Sequence, residues 1–423
     1  MRNRATIRSA AGDPRSGVRR ARISVSIVFL VHGILVSSWL ARIPAVQEAL
    51  GVPVGILGAV LLSAAAGALL AMPLTSRLVD RFGSARLTAG TTVLLCAAVA
   101  LPPWAPTPAV LAGLLFLYGA AAGAMDVAMN TQAVTVESSA GRPVMVGFHA
   151  LFSFGGMLGA IGGSLAARYR IAPPAHLAAM GAAMSVVGAI ACRGLLPEHR
   201  DREAVEQSTR DLLLPLIGLG VVAFCILLGE GAMADWSAVY LNQLAGLTVA
   251  PLGYAVFSLT MAGGRLAGDW FHERVGAVST VRLGSALAAA GLAGALIAGS
   301  AAAALIGFAC VGCGFSAIFP IVCSVAGSRA GDRPQAGIAT VSMTGYLGFL
   351  VGPPAIGVLA QATSLRVALV LVAVLSAVTC LLAGNLRKRG ASTLFLAESG
   401  HGIDGRGFPG GQGTRQQSDC GEC

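Results

Sequence analysis

Charge is scarce in this chain. Asp, Glu, Lys and Arg make up 11% of its residues, against roughly a quarter in a soluble globular domain. So few charges cannot keep a large surface in water, which excludes an ordinary soluble enzyme or binding module. Lysine is nearly missing; Lys388 stands alone among the basic residues. Aromatics are only 6%. The formal charge of +10 sits in short loops and tails rather than on an aromatic-interleaved face, so nucleic acid is excluded as a partner. The signatures of bond-making chemistry are missing too. No G-x-x-x-x-G-K-[ST] loop supplies ATP drive, and no H-E-x-x-H, Cys/His ligand cluster or G-x-S-x-G elbow is present. The chain is therefore expected to be no enzyme and to carry no cofactor and no metal. Cys96, Cys192, Cys225, Cys310, Cys313, Cys323 and Cys380 lie in apolar stretches and read as small packers. Cys420 and Cys423 form one C-x-x-C in a Gly-rich tail, without the second pair that a metal site needs.

What is present is apolar sequence: 55% hydrophobic residues and a mean hydropathy of +0.76. About 20 apolar residues cross a hydrocarbon core. Twelve segments qualify: 22–43, 53–76, 87–105, 108–136, 143–168, 174–194, 212–241, 250–271, 278–299, 302–327, 335–361 and 364–386. The expected fold is an all-α membrane protein of twelve transmembrane helices. Residues 1–21 read as a polar N-terminal tail, 22–194 as a first six-helix bundle and 195–211 as a mixed-charge linker. Residues 212–387 read as a second six-helix bundle and 388–423 as a disordered tail. Arg19-Arg20 before an apolar run suggests an export signal, but the run is too long, lacks an A-x-A cut and is followed by further spans. Arginine collects in alternate loops, at Arg77, Arg81, Arg86, Arg200, Arg202 and Arg329, whereas the opposite loops hold little beyond Arg42, Arg168, Arg170 and Arg366. That asymmetry places both termini in the cytoplasm. The Arg-, Ala- and Gly-rich composition points to a GC-rich genome, and the expected location is a bacterial inner membrane.

The halves repeat. Asp80-Arg81-Phe82-Gly83 and Glu273-Arg274-Val275-Gly276 stand 193 residues apart. The same offset aligns Gly119 with Gly312, Gly155 with Gly348, Asp126 with Phe319 and His149 with Ser342. Two six-helix pseudo-repeats around a central path are expected.

An ionised carboxylate in lipid costs at least about 2.5–3.5 kcal/mol and so faces protein or water. Gly119, Gly123, Asp126, Asn130 and Glu137 share one face of the fourth segment. Asp126 either serves the path or bonds a neighbouring helix. His149 lies at a similar depth on the fifth segment, so the two either carry a coupling proton or join two helices. Glu230 is a second coupling candidate; five positions away, Asp235 must point elsewhere. His32, Trp39, Asn130, Asp235, Trp236, Phe319 and Tyr346 are candidates for the solute path. Trp236 either stacks on a solute or sits at the membrane interface. Arg42 either snorkels to headgroups or gates the outer mouth against Asp235. Gly155, Gly159, Gly348 and Gly352 read as packing positions.

Twelve helices split six and six, with the loop repeated, resemble the major facilitator superfamily, whose loop pattern is Gly-x-x-x-Asp-Arg-x-Gly-Arg. Asp80, Arg81, Gly83 and Arg86 fit it, Ser76 replaces the leading Gly, and Glu273 replaces Asp in the second copy. A narrower likeness lies in Met125–Asn130, Gly147–Ser153 and Glu230–Trp236. These stretches resemble the MosC-like, rhizopine-associated branch near the fucose permeases. The resemblance implies a monomeric secondary transporter of a small solute in the lipid bilayer, driven by protons. It also implies that Asp80, Arg81, Glu273 and Arg274 form a conformational latch. The fifth segment lacks the Gly-Pro ending of many drug/proton antiporters, which favours uptake over export. A receptor that moves nothing and a membrane enzyme are the rivals from other classes.

Overall fold

In the computed structural model, residues 14–141, 144–197, 213–331 and 334–386 are described. The tail at 1–13, Arg142, most of the polar linker, and the segment from 387 onward with Lys388, Cys420 and Cys423 lie outside them. The described chain is helix and loop, with no strand.

Helix α1 (Pro14–Leu40) extends on the N-terminal side beyond its apolar run. It is followed by α2 (Ile43–Leu50), a short helix not expected from hydropathy, which has Pro44 in its first turn and the left-handed Gly51 (φ 60, ψ 32) at its end. Helices α3 (Val54–Phe82) and α4 (Ser84–Ala98) meet at Gly83, which has φ 83 and ψ 146. Helix α5 (Pro108–Ala140) is capped by Thr107, whose hydroxyl accepts from the Val110 N–H at 3.3 Å. Helices α6 (Met145–Arg168), α7 (Pro173–Cys192) and α8 (Leu213–Ala245) follow.

Helix α9 (Leu252–Ala298) runs for 47 residues, but Gly276 within it is not helical (φ 80, ψ 163). Gly83 and Gly276 thus close the two copies of the repeated loop with nearly the same backbone, in a region that L side chains rarely adopt. Next come α10 (Ala301–Phe315) and α11 (Ile318–Arg329), where one helix was expected. Pro320 explains the break, because its ring opposes the carbonyl of Ser316 and it has no N–H to offer. Helices α12 (Pro334–Ala362), α13 (Leu365–Ala368) and α14 (Val370–Leu382) complete the order.

Among the described residues, eleven helical spans are long and apolar enough to cross a membrane. Large apolar side chains such as Leu70, Leu214, Ile297 and Leu381 lie exposed on the outside of the bundle, as a lipid-facing surface requires. Inside, α1 packs on α6, α3 on α5, and α4 on α5 and α7; α8 packs on α12, and α9 on α10 and α14. The two sets meet along α6/α9 and α3/α12, and α2 touches α8. The end of the bundle that holds α2 is called the α2 end below, and the opposite one the glycine-loop end, after Gly83 and Gly276.

Candidate functional site

The small-and-polar stripe of α5 divides into three parts. A Cβ on Gly119 or Gly123 would strike the backbone of Ala64 or Ala68 on α3, so these two glycines serve helix packing. Glu137 is a cap: its Oε2 accepts the N–H groups of Val144 (2.7 Å) and Met145 (2.8 Å) at the start of α6. Asp126 and Asn130 remain. Both are half-buried, and the Asn130 amide donates to the Asp126 carbonyl (2.8 Å) and carboxylate (3.2 Å). Asp126 is also close enough to Tyr346 on α12 to interact electrostatically.

His149 is not joined to Asp126 in this structure. Its ring stands edge-on to Phe29, with centroids 5.3 Å apart, and Phe29 stacks on Phe148 at 5.5 Å. That turns His149 toward α1 and His32, whereas Asp126 faces α12. His32 is 4% exposed, rests against Phe152 (5.3 Å) and has no hydrogen-bond partner on either ring nitrogen.

The residue that meets α6 here is one that sequence reasoning passed over. Arg265, half-buried on α9, donates to the Ser153 hydroxyl at 2.6 Å and to the His149 carbonyl at 3.3 Å. It also lies within electrostatic range of Glu230 on α8. The signal was available: an arginine inside an apolar segment invites the same cost argument as Asp126.

On α8, Glu230 lies within electrostatic range of Arg265 and Asp235 within range of Tyr118, and both acids lie within range of Tyr254. Both are half-buried. Trp236 is 0% exposed, so it belongs to the core and not to a membrane interface. Trp39, 2% exposed, packs on Tyr118 with ring centroids 6.2 Å apart. Phe319 and Tyr346 are half-buried on α11 and α12, and Tyr346 stacks on Phe349 at 6.4 Å.

Arg42 does neither of the things expected of it. At 3% exposure it does not snorkel, and it makes no pair with Asp235. Its guanidinium donates to the carbonyls of Gly163 (3.5 Å) and Ile171, at the end of α6 and in the loop after it. Those acceptors lie at the negative end of the α6 dipole, within Arg42's own half, and they hold the side chain there. The α2 end is tied across by other groups. The Asn242 amide donates to Glu48 at 2.6 Å, the Ser164 hydroxyl to the Thr248 carbonyl at 2.5 Å, and the Gly55 N–H to Gln361 at 3.2 Å.

At the glycine-loop end, Asp80, Arg81, Glu273 and Arg274 are exposed. Arg81 lies 5.3 Å from the ring centroid of Phe82 and Arg274 lies 4.0 Å from that of Trp270, each within its own half. No group of three His, Cys, Asp or Glu among the described residues is placed to hold a metal ion.

Comparison with known proteins agrees with this architecture. The family model described as Major Facilitator Superfamily matches residues 25–338. An uncharacterised MFS-type transporter of Yersinia pestis is 36% identical over 360 residues, covering 84% of this chain and 92% of that protein. The uncharacterised transporter y4wD of Sinorhizobium fredii is 34% identical, covering 86% and 97%. Membrane protein MosC of Rhizobium meliloti is 33% identical, covering 84% and 88%. Among solved structures, a mutant of the nucleoside transporter NupG superposes with a TM-score of 0.71 at 14% identity, over 87% of this chain and all of that one. A bacterial homologue of the human lysosomal transporter Spinster, in an inward-facing and occupied conformation, gives 0.69 at 12% identity, over 86% and 96%. At such identities these two bear on the fold alone.

Proposed function

Because this chain belongs to the major facilitator superfamily, we propose that it is a secondary active transporter, not an enzyme. It takes up a small polar solute across a bacterial inner membrane by alternating access, with protons as the coupling ion. Twelve crossings follow if Gly276 divides α9 into two, since 47 helical residues would be about 70 Å long, more than twice the hydrocarbon core. Two six-helix repeats on either side of the polar linker are supported by the matched conformations of Gly83 and Gly276 and by the matched packing of α1 on α6 and α8 on α12. Arginine placement makes the α2 end the outer one and leaves both termini inside.

The observation that carries the reading is a set of charged and titratable side chains inside the bundle. Asp126, His149, Glu230, Asp235 and Arg265 are half-buried in helices of both halves, while the α2 ends of those halves are bonded together. Polar groups inside a membrane bundle line a path or bind an ion, and a bundle tied at one end offers that path to the other. Asp126 is the leading carrier of the coupling proton and Glu230 the second. The exposed acid-arginine loops at the glycine-loop end are the latch of the opposite state. A solute screen in proteoliposomes, with and without an inward proton gradient, tests the reading. Gradient-dependent accumulation of at least one polar solute is expected. Passive equilibration regardless of the gradient would remove proton coupling, and chemical conversion of a solute would replace transporter by enzyme.

A further inference from the structure

On the α6/α9 seam a charged group, Arg265, bonds across from one half to the other. Arg265 reaches from α9 to two acceptors on α6, Ser153 at 2.6 Å and the His149 carbonyl at 3.3 Å. The Ser153 hydroxyl also donates to that carbonyl at 3.3 Å, so the three groups form one small network. Glu230, on α8 of Arg265's own half, lies within electrostatic range, and no hydrogen bond joins it to a described residue. The guanidinium thus bonds α6 while a carboxylate of its own half attracts it.

We propose that Arg265 is a switchable clasp between the halves, bonded to α6 when the α2 end is shut and drawn to Glu230 when Glu230 carries charge. The proposal rests on the transporter reading above. The physical basis is a competition. A charge-assisted bond to a carboxylate is stronger than one to a neutral hydroxyl or carbonyl, and Coulomb attraction grows inside a protein. An ionised Glu230 thus pulls Arg265 off α6 and loosens the seam. Once Glu230 is neutralised, by a proton or by a cationic group of the solute, the α6 acceptors are the ones left to Arg265. A contact made in one state and lost in the other supplies the differential free energy that shifts an equilibrium. The loaded carrier then shuts its outer mouth, and the unloaded one reopens it, which is the order that uptake requires. Arg265 acts here as a positioning residue, and Ser153 is its partner on α6.

Cross-linking of the full-length protein in membranes tests this without any solute. In a background with the nine native cysteines replaced by serine or alanine, Ser164→Cys and Thr248→Cys, placed where the Ser164 hydroxyl meets the Thr248 carbonyl, report closure of the α2 end by copper-catalysed disulfide formation, against controls that carry one of the two. Arg265→Gln should slow this cross-link by about tenfold, the worth of a hydrogen bond to a charged group. Arg265→Lys, which keeps the charge, should slow it less. Glu230→Gln should speed it, and the Glu230→Gln, Arg265→Gln double variant should behave like Arg265→Gln alone. If Arg265→Gln does not reach the membrane, Ser153→Ala removes an acceptor from the other side and should slow the cross-link too. An unchanged rate in the Arg265 variants that reach the membrane, or in Ser153→Ala, overturns the clasp. So does a Glu230→Gln effect that persists without Arg265, since Glu230 would then act on its own. A residue that only binds solute would leave the solute-free rate untouched. Failure of every solute to move in proteoliposomes would sink the transporter reading while leaving this cross-link result intact, so the two failures can be told apart.

Discussion

The two lines along which the halves meet are built from opposite materials. Along α3/α12 the contacts are small and apolar. Gly58 lies against Gly357 and the Pro353 carbonyl, and Leu62, Leu350, Val351, Pro354 and Leu359 line a groove beside them. One amide, Gln361 on the Gly55 N–H, is the polar exception, and it sits at the α2 end. Along α6/α9 the contacts are hydroxyls, a guanidinium and a phenol ring: Ser164 on the Thr248 carbonyl, Gly156 against Ser258 and Tyr254, Arg265 on Ser153. An apolar seam of small residues can slide or tilt while losing only dispersion contacts. A polar seam has discrete partners, and its bonds are made or broken. The first has the character of a bearing and the second of a switch, and the asymmetry puts the bonding groups on one of the two seams.

Asp126 is the sharpest challenge to that division, because it lies within electrostatic range of Tyr346 on α12. The largest effect is expected there. Asp126→Asn should abolish uphill accumulation while sparing solute counterflow, measured in proteoliposomes with and without a proton gradient. Accumulation at the parent level would return all coupling to the polar side.

A matched pair of alanines compares the seams directly. A Cβ at position 58 would meet the Pro353 carbonyl at 2.7 Å and the Gly357 Cα at 2.9 Å, both backbone atoms that cannot step aside. A Cβ at position 156 would meet the Ser258 hydroxyl at 2.7 Å, and a hydroxyl can rotate away. Gly58→Ala should therefore cost about 1–3 kcal/mol of stability, as overpacking does, and slow transport with it. Gly156→Ala should cost less. Thermal unfolding in detergent reads the difference, and equal losses would mean that the two seams are equally rigid. The smallest effect is expected at the rim. Glu48 is exposed, so Glu48→Gln should change the Ser164/Thr248 cross-linking rate by less than about fivefold, the range of a surface pair.

Hydropathy was enough to reveal a many-helix membrane protein, with eleven qualifying spans among the described residues where twelve were expected, and the repeated loop pointed to the positive-φ glycines Gly83 and Gly276, because bilayer thickness and left-handed backbone both act through local sequence. What stayed hidden depends on which way a helix faces. The stripe of α5 reads as one surface, yet Gly123 packs on α3, Asp126 is left to the interior and Glu137 caps the next helix. Rotational position is set by neighbours that lie far away in the chain. Arg42 was legible as an arginine at a helix end, but its carbonyl acceptors come from α6 and the loop after it, 121 and 129 residues later. Helix α2 was missed because hydropathy carried the first segment to residue 43 and left the following turn unread, although Pro44 and Gly51 mark its two ends. Arg265 was missed for a different reason: it lies inside an apolar run read only as a span, where the cost of burying it singles it out.

Tryptophans divide this protein into regions that light can address. Trp39 and Trp236 are enclosed, Trp104 stands 70% exposed near the α2 end, and Trp270 stands 55% exposed at the glycine-loop end beneath the Arg274 guanidinium. Any rearrangement that reshapes the second loop must slide that cation off the indole or press it closer. The emission of Trp270 is thus a native optical gauge of that mouth, isolated by replacing the other exposed indole, Trp104, and by using a water-borne quencher that does not reach the two enclosed ones.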